Sequence, residues 1–183
     1  MTQSPKIAQF HRALPFWMSL MLIPAAVISA LYGGWWVVLL PILTFGMFSL
    51  LDAVFGLNLD NPDPNTDDTH LTWYKVITLI WAPLQFCLLL WMIWYATGPG
   101  DDHLAPLETI VLFFGMGVVS GAVGINYSHE LMHQKDKGER FMGDALLAMV
   151  LYSHFRSEHL LVHHRHVGTP RDPVTARYNE GFH

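Results

Sequence analysis

The stretch LETIVLFFGMGVVSGAVGIN, residues 107–126, carries no charge after Glu108 and leads without a break into YSHELMH, residues 127–133. About 20 apolar helical residues cross the ~30 Å hydrocarbon core of a bilayer. Continued to His133, such a helix reaches about 40 Å at 1.5 Å per residue. Its last turns, with His129 and His133, then project out of the apolar layer.

Three earlier runs repeat the pattern at residues 14–32, 35–51 and 76–96, and the chain as a whole is 52% hydrophobic and 14% charged with a mean hydropathy of +0.30. That balance excludes an ordinary soluble domain. Gly33-Gly34 forces a tight hairpin between the first two runs, and Pro15, Pro24 and Pro41 mark kinks or helix starts. Trp35, Trp36, Trp73, Tyr74, Trp91, Trp94 and Tyr95 fall near the ends of spans, where amphipathic rings favour the headgroup layer. The first run is longer than the apolar core of a signal peptide and passes at once into the second, so it reads as a retained helix. The fold expected is all-α: one polytopic membrane bundle over residues 1–183, with about four spans and a histidine-rich helical region at 129–166.

Lys6 and Arg12 precede the first run, Lys75 lies between the second and third, and Lys135, Lys137, Arg140, Arg156, Arg165, Arg171 and Arg177 follow the fourth. The other two connections, Gly33-Gly34 and residues 97–106, have no Lys or Arg. The positive-inside rule therefore puts the N-terminus and the histidine region in the cytoplasm. A net charge of −5, with acidic residues gathered at 60–68 and 101–108, offers no basic footprint for nucleic acid. The single cysteine, Cys87, sits in an apolar run, so a metal would have to be held by nitrogen and oxygen.

Seven of the eleven histidines lie between His129 and His166. His129 and His133 are four apart, as are His159 and His163, and on a helix that spacing puts both rings of a pair on one face. His164 is turned by one further residue, toward a second ion beside the first. Apolar spacing through Leu146, Leu147, Met149 and Val150 predicts one helix over 141–164 that folds the second group back against the first. Neutral imidazole suits iron, zinc, copper or nickel and does not choose among them. His129-Glu130-Leu131-Met132-His133 also fits the H-E-x-x-H pattern of zinc peptidases. A catalytic zinc takes three protein ligands, and the surplus of histidines here favours a two-metal centre. Glu130, Glu158 and Asp144 are then candidate acceptors for the ligand rings' outer N–H groups.

The segments 126–133, 154–164 and 168–173, read as NYSHELMH, HFRSEHLLVHH and GTPRDP, resemble successive parts of the integral-membrane alkane 1-monooxygenases. Leu51-Asp52 and Asp60-Asn61-Pro62 resemble that family's loop after the second span. The resemblance covers most of the chain. It implies a non-haem enzyme of the bacterial inner membrane with two Fe ions, which hydroxylates the terminal carbon of alkanes or related hydrocarbon chains with O2. It also implies a rubredoxin-type electron donor, and metal-ligand roles for His129, His133, His159, His163 and His164. His154 and His166 match no ligand position.

Gln134 stands where the family commonly has lysine, and Leu160, Leu161 and Val162 replace its asparagine, arginine and glycine. These changes bear on substrate range, because the ligand spacing is kept. A third H-x-x-H-H cluster is absent after His166, so the chain reads as an N-terminal fragment, expected to insert into membranes without turning over by itself. Membrane fatty-acid desaturases and hydroxylases are the nearest enzyme alternative, although their second cluster is one residue shorter. A non-catalytic metal-binding protein such as a transporter calls for ionisable residues within the spans. None of the Asp, Glu, His, Lys or Arg residues falls in 14–51, 76–96 or 110–128. Phe45, Phe48, Phe113, Phe114 and Met116 are candidate linings for a hydrocarbon path, and Lys135, Lys137 and Arg140 for docking an acidic electron carrier.

Overall fold

A computed structural model describes residues 10, 13–55, 71–100 and 102–181. Lys6, Arg12, the acidic segment 60–68, Asp101 and His183 lie outside the described residues, as do the side chains of Phe48, Leu51 and Asp52.

Among the described residues every regular element is helical. Three helices are long and apolar enough to cross a membrane: α1 (Ala13–Tyr32), α3 (Thr72–Ala96) and α4 (Pro106–Met132). The expected second span is α2, residues 34–55, whose apolar part Gly34–Gly46 is shorter. It opens as a 3-10 turn and widens into a π turn over Ile42–Met47, directly after Pro41, which lacks the N–H that an α-helix would bond to residue 37. α4 also contains a π turn, Ser120–Ile125, before the short α-helical end that bears His129.

Successive helices run in opposite senses, and the contacts at the two ends show it. At one end Gly33 and Gly34 adopt φ of +58° and +54°, a left-handed turn that suits glycine. There the Glu108 carboxylate accepts the N–H of both Gly34 and Ala105 at 2.9 Å, so it ties the α1–α2 turn to the first turn of α4. At the other end Trp17 donates through Nε1 to the Trp73 carbonyl, and the rings of Phe10, Trp17 and Trp73 meet edge to face. Between the ends, Trp81, Leu22, Leu40, Ile77 and Leu112 are buried, while Trp35, Phe45, Ile80 and Phe114 face outward. Water cannot drive helices together inside a bilayer, so close packing and hydrogen bonds must do it.

α5 (Lys137–Met149) folds back onto the end of α4. Asp136 caps it by accepting the N–H groups of Gly138 and Glu139 at 2.8 and 3.0 Å, and these bonds hold its carboxyl below the usual range. Gly143 makes the approach possible: a Cβ there would lie 3.1 Å from both the Ser128 carbonyl and Leu131 Cβ. Ser128 Oγ closes the contact by donating to the Gly143 carbonyl at 2.9 Å. Lys75 pairs with Glu139 at 2.9 Å, joining the start of α3 to α5.

The single helix expected over 141–164 is two. α5 stops at Met149 and α6 occupies residues 155–166. The Leu151 N–H bonds to the Ala148 carbonyl and the Tyr152 N–H to the Leu147 carbonyl, with Leu151 at φ +57°. This is a Schellman stop, which glycine usually makes and leucine here makes under strain.

Cysteines placed at 103 and at 135, in a Cys87→Ser background, are expected to react with an impermeant reagent from opposite faces of the membrane. Labelling of both from one face contradicts the arrangement. Gly143→Val is expected to lower stability by about 1–3 kcal/mol through overpacking, read as a lower unfolding temperature in detergent; an unchanged temperature would mean that α5 is not held against α4 at this point.

Candidate metal centre

The turns that deliver the histidines differ in pitch, and the pitch decides which rings meet. His129 and His133 stand one α-turn apart at the end of α4, with ring centroids 4.8 Å apart. The second group lies on a π turn, Glu158–His163. An α-helix would carry His164 about 140° round the axis from His159. The wider π turn brings it back, and the two centroids are 4.5 Å apart.

Four imidazoles therefore share one volume. His159 Nε2 lies 2.8 Å from His129 Nε2 and 2.9 Å from His164 Nε2, and the His133 ring is 4.9 Å from that of His164. Ligand nitrogens of His129, His133 and His159 all fall within 4.8 Å of one another, close enough for one ion. His164, expected to turn toward a second ion beside the first, lies against His159 and His133 and outside that group of three. His163 stands at the edge, its centroid 5.4 Å from that of His159. His154 and His166 are not brought in: His154 packs on Tyr152 and lies 4.0 Å from Glu158.

Crowding governs the charge state. Burial, followed by the neighbouring His129 and His164, pushes the His159 imidazole down to about 4 from its ordinary 6.5. His133 is lowered too, by burial and then by His129 and His164. Neutral rings with free lone pairs are the form that binds a metal.

The carboxylate that orients a ring was not among those singled out from sequence. Asp144 pairs with Arg156, Glu158 with the remote His154, and only Glu130 approaches a clustered ring, 3.6 Å from His129 Nδ1. Asp172 does more. Its side chain is fully buried, and Oδ2 accepts from His163 Nδ1 at 2.8 Å and from the Thr175 hydroxyl. Burial alone would raise its pKa, but the bonds from Thr175, His163 and the Val174 N–H outweigh it and leave the carboxyl below its usual range. With Nδ1–H held there, His163 presents Nε2 as a lone pair. The signal in the sequence is Asp172 itself, within the segment GTPRDP at 168–173.

A cavity of about 370 Å³ lies between α3, α4 and the end of α5, lined by Leu89, Phe113, Met116, Ser120, Gly121 and Met149 among others. Of the expected linings, Phe113 and Met116 face it, Phe45 and Phe114 are exposed on the outer surface, and the Phe48 side chain lies outside the described residues. Arg140, offered for docking, donates to the carbonyls of Gln134 and Lys135 and so braces the turn before α5.

The nitrogen donor set, the convergence of rings from two helices and the carboxylate behind His163 fit a transition metal better than calcium or magnesium. Residues 105–183, which include every clustered histidine, match the fatty acid desaturase family. The chain is 34% identical over 177 residues to alkane 1-monooxygenase 1 of Alcanivorax borkumensis, covering 91% of this chain and 42% of that protein. It is 34% identical over 141 residues to alkane 1-monooxygenase of Pseudomonas putida (76% and 34%) and 33% identical over 181 residues to alkane 1-monooxygenase 2 of Pseudomonas aeruginosa (97% and 45%). The chain spans less than half the length of these curated relatives. The chain is thus similar to the alkane 1-monooxygenases over most of its own length, and the residues that form the cluster lie within the segment that matches the fatty acid desaturase family.

Proposed function

We propose that this chain forms part of a non-haem di-iron monooxygenase that hydroxylates the terminal carbon of alkanes or related hydrocarbon chains with O2. The observation that carries the proposal is the convergence of His129, His133, His159 and His164 at the end of an apolar helical bundle. An unactivated C–H bond offers neither an acidic proton nor an electrophile, so acid–base and nucleophilic side chains have nothing to attack. Two irons held by those four residues and His163 would supply the redox activation of dioxygen.

The chain's own groups supply the rest. Apolar helices admit a substrate that concentrates in lipid, and Phe113 and Met116 line a cavity free of charged groups. Asp172 holds the His163 proton on Nδ1, and Phe155 stacks on His159 with ring centroids 5.2 Å apart, which restrains that ring. Exposed Lys135 and Lys137 suit an acidic, rubredoxin-type electron donor arriving from the cytoplasmic side of the inner membrane. The desaturase match supports a second reading, in which the product is an alkene. The zinc peptidase reading has less support, because His164 and the Asp172-bound His163 stand beside the three rings that a catalytic zinc would use.

The complete gene product, purified in detergent, is expected to hold about two irons per chain and, with rubredoxin, its reductase and a medium-chain alkane, to release a primary alcohol. One zinc per chain with peptidase activity would reject the proposal, and a carbon–carbon double bond in the product would favour the second reading. His133→Ala and His159→Ala are expected to lose iron and turnover, and His154→Ala to lose neither. Asp172→Ala is expected to weaken iron binding about 10- to 100-fold; wild-type affinity in that variant would remove the orienting role of Asp172.

A further inference from the structure

Near the midpoint of α3 stands a buried amide, Gln85, 1% exposed. Polar side chains at such depth are costly and are retained where they serve a site. Among the other buried polar residues of the spans, Ser29, Thr44, Thr78 and Ser120 return their hydroxyls to carbonyls of their own helices, while Ser128 donates to Gly143 of α5 and Ser19 meets the Tyr127 hydroxyl. Gln85 reaches outward. Trp81 donates from Nε1 to its Oε1 at 2.8 Å, and its Nε2 lies 3.7 Å from Sδ of Met149.

Met149 is the last residue of α5, directly ahead of the Schellman stop that leads to α6. On its other side Gln85 presses on Gly124, in the π turn of α4 that precedes His129: a Cβ there would lie 2.5 Å from Oε1. The clamp is itself braced, since the Trp81 ring meets the Tyr127 ring edge-on at 5.9 Å and the Tyr127 hydroxyl donates to the Phe16 carbonyl of α1. One amide thus touches both segments that deliver the clustered histidines.

Resting on the metal reading above, we propose that Gln85 is a positioning residue for the metal centre: its amide, clamped by Trp81, sets the spacing between the His129–His133 pair and the His159–His164 group. It touches no metal. It acts through Gly124 on one side and Met149 on the other.

Cobalt(II) is the probe, because its visible absorption reports ligand geometry without turnover. The metal-free complete gene product in detergent is titrated with cobalt(II), and helical circular dichroism monitors folding. Gln85→Leu is expected to shift the visible bands and weaken cobalt binding about tenfold. The double variant Trp81→Phe/Gln85→Leu leaves no orphaned N–H and is expected to do the same. Gly124→Ala keeps every polar group but displaces the amide, and is expected to shift the bands with helical content retained. If the double variant regains the wild-type bands and affinity, the amide merely satisfies Trp81 and the proposal fails. Bands that His133→Ala abolishes but that stay unchanged in the Gln85 and Gly124 variants overturn the positioning role and leave the metal centre standing. A wild-type protein without cobalt bands overturns both.

Discussion

Four imidazoles can share one small volume only if the helices that carry them are held at a fixed separation. The packing of α5 on the end of α4 sets that separation: Gly143 lies against the Ser128 carbonyl, and the Schellman stop at Leu151 turns the chain so that α6 returns toward His129. The π turn of α6 then swings His164 onto the face of His159. Loosen any one of these and the rings part, because an i,i+4 pair on a single helix supplies two ligands and no more.

Burial and the proximity of its rings to one another shape the cluster's behaviour with pH. His159 is depressed in the fold from 6.5 to about 4, so between those values the unfolded chain binds the extra proton more readily. Folding stability from this residue is therefore present above about 6.5 and lost as pH falls toward 4. The same depression keeps the ring neutral and available as a ligand across the physiological range.

Much of this was legible in the residues. Apolar runs of membrane length announced the helices, and the four-residue spacing of His129 with His133 and of His159 with His163 announced rings in pairs. The break between α5 and α6 was not legible, because the left-handed position that usually carries glycine carries Leu151. Nor was the role of Asp172: it lies nine residues from His163, across a turn whose shape no periodicity reveals. The π turns were equally silent. A helical wheel at 100° per residue turns His164 away from His159, whereas the π turn sets the two rings side by side.

Joint ownership of one metal centre by α4 and α6 is tested most directly by X-ray absorption at the iron edge of the loaded complete gene product and of two variants, His129→Ala and His159→Ala. The account predicts a nitrogen-dominated shell with the multiple-scattering pattern of several imidazoles and no sulfur, and a loss of imidazole scattering in each variant. An oxygen-only shell, or a wild-type spectrum in either variant, would contradict it.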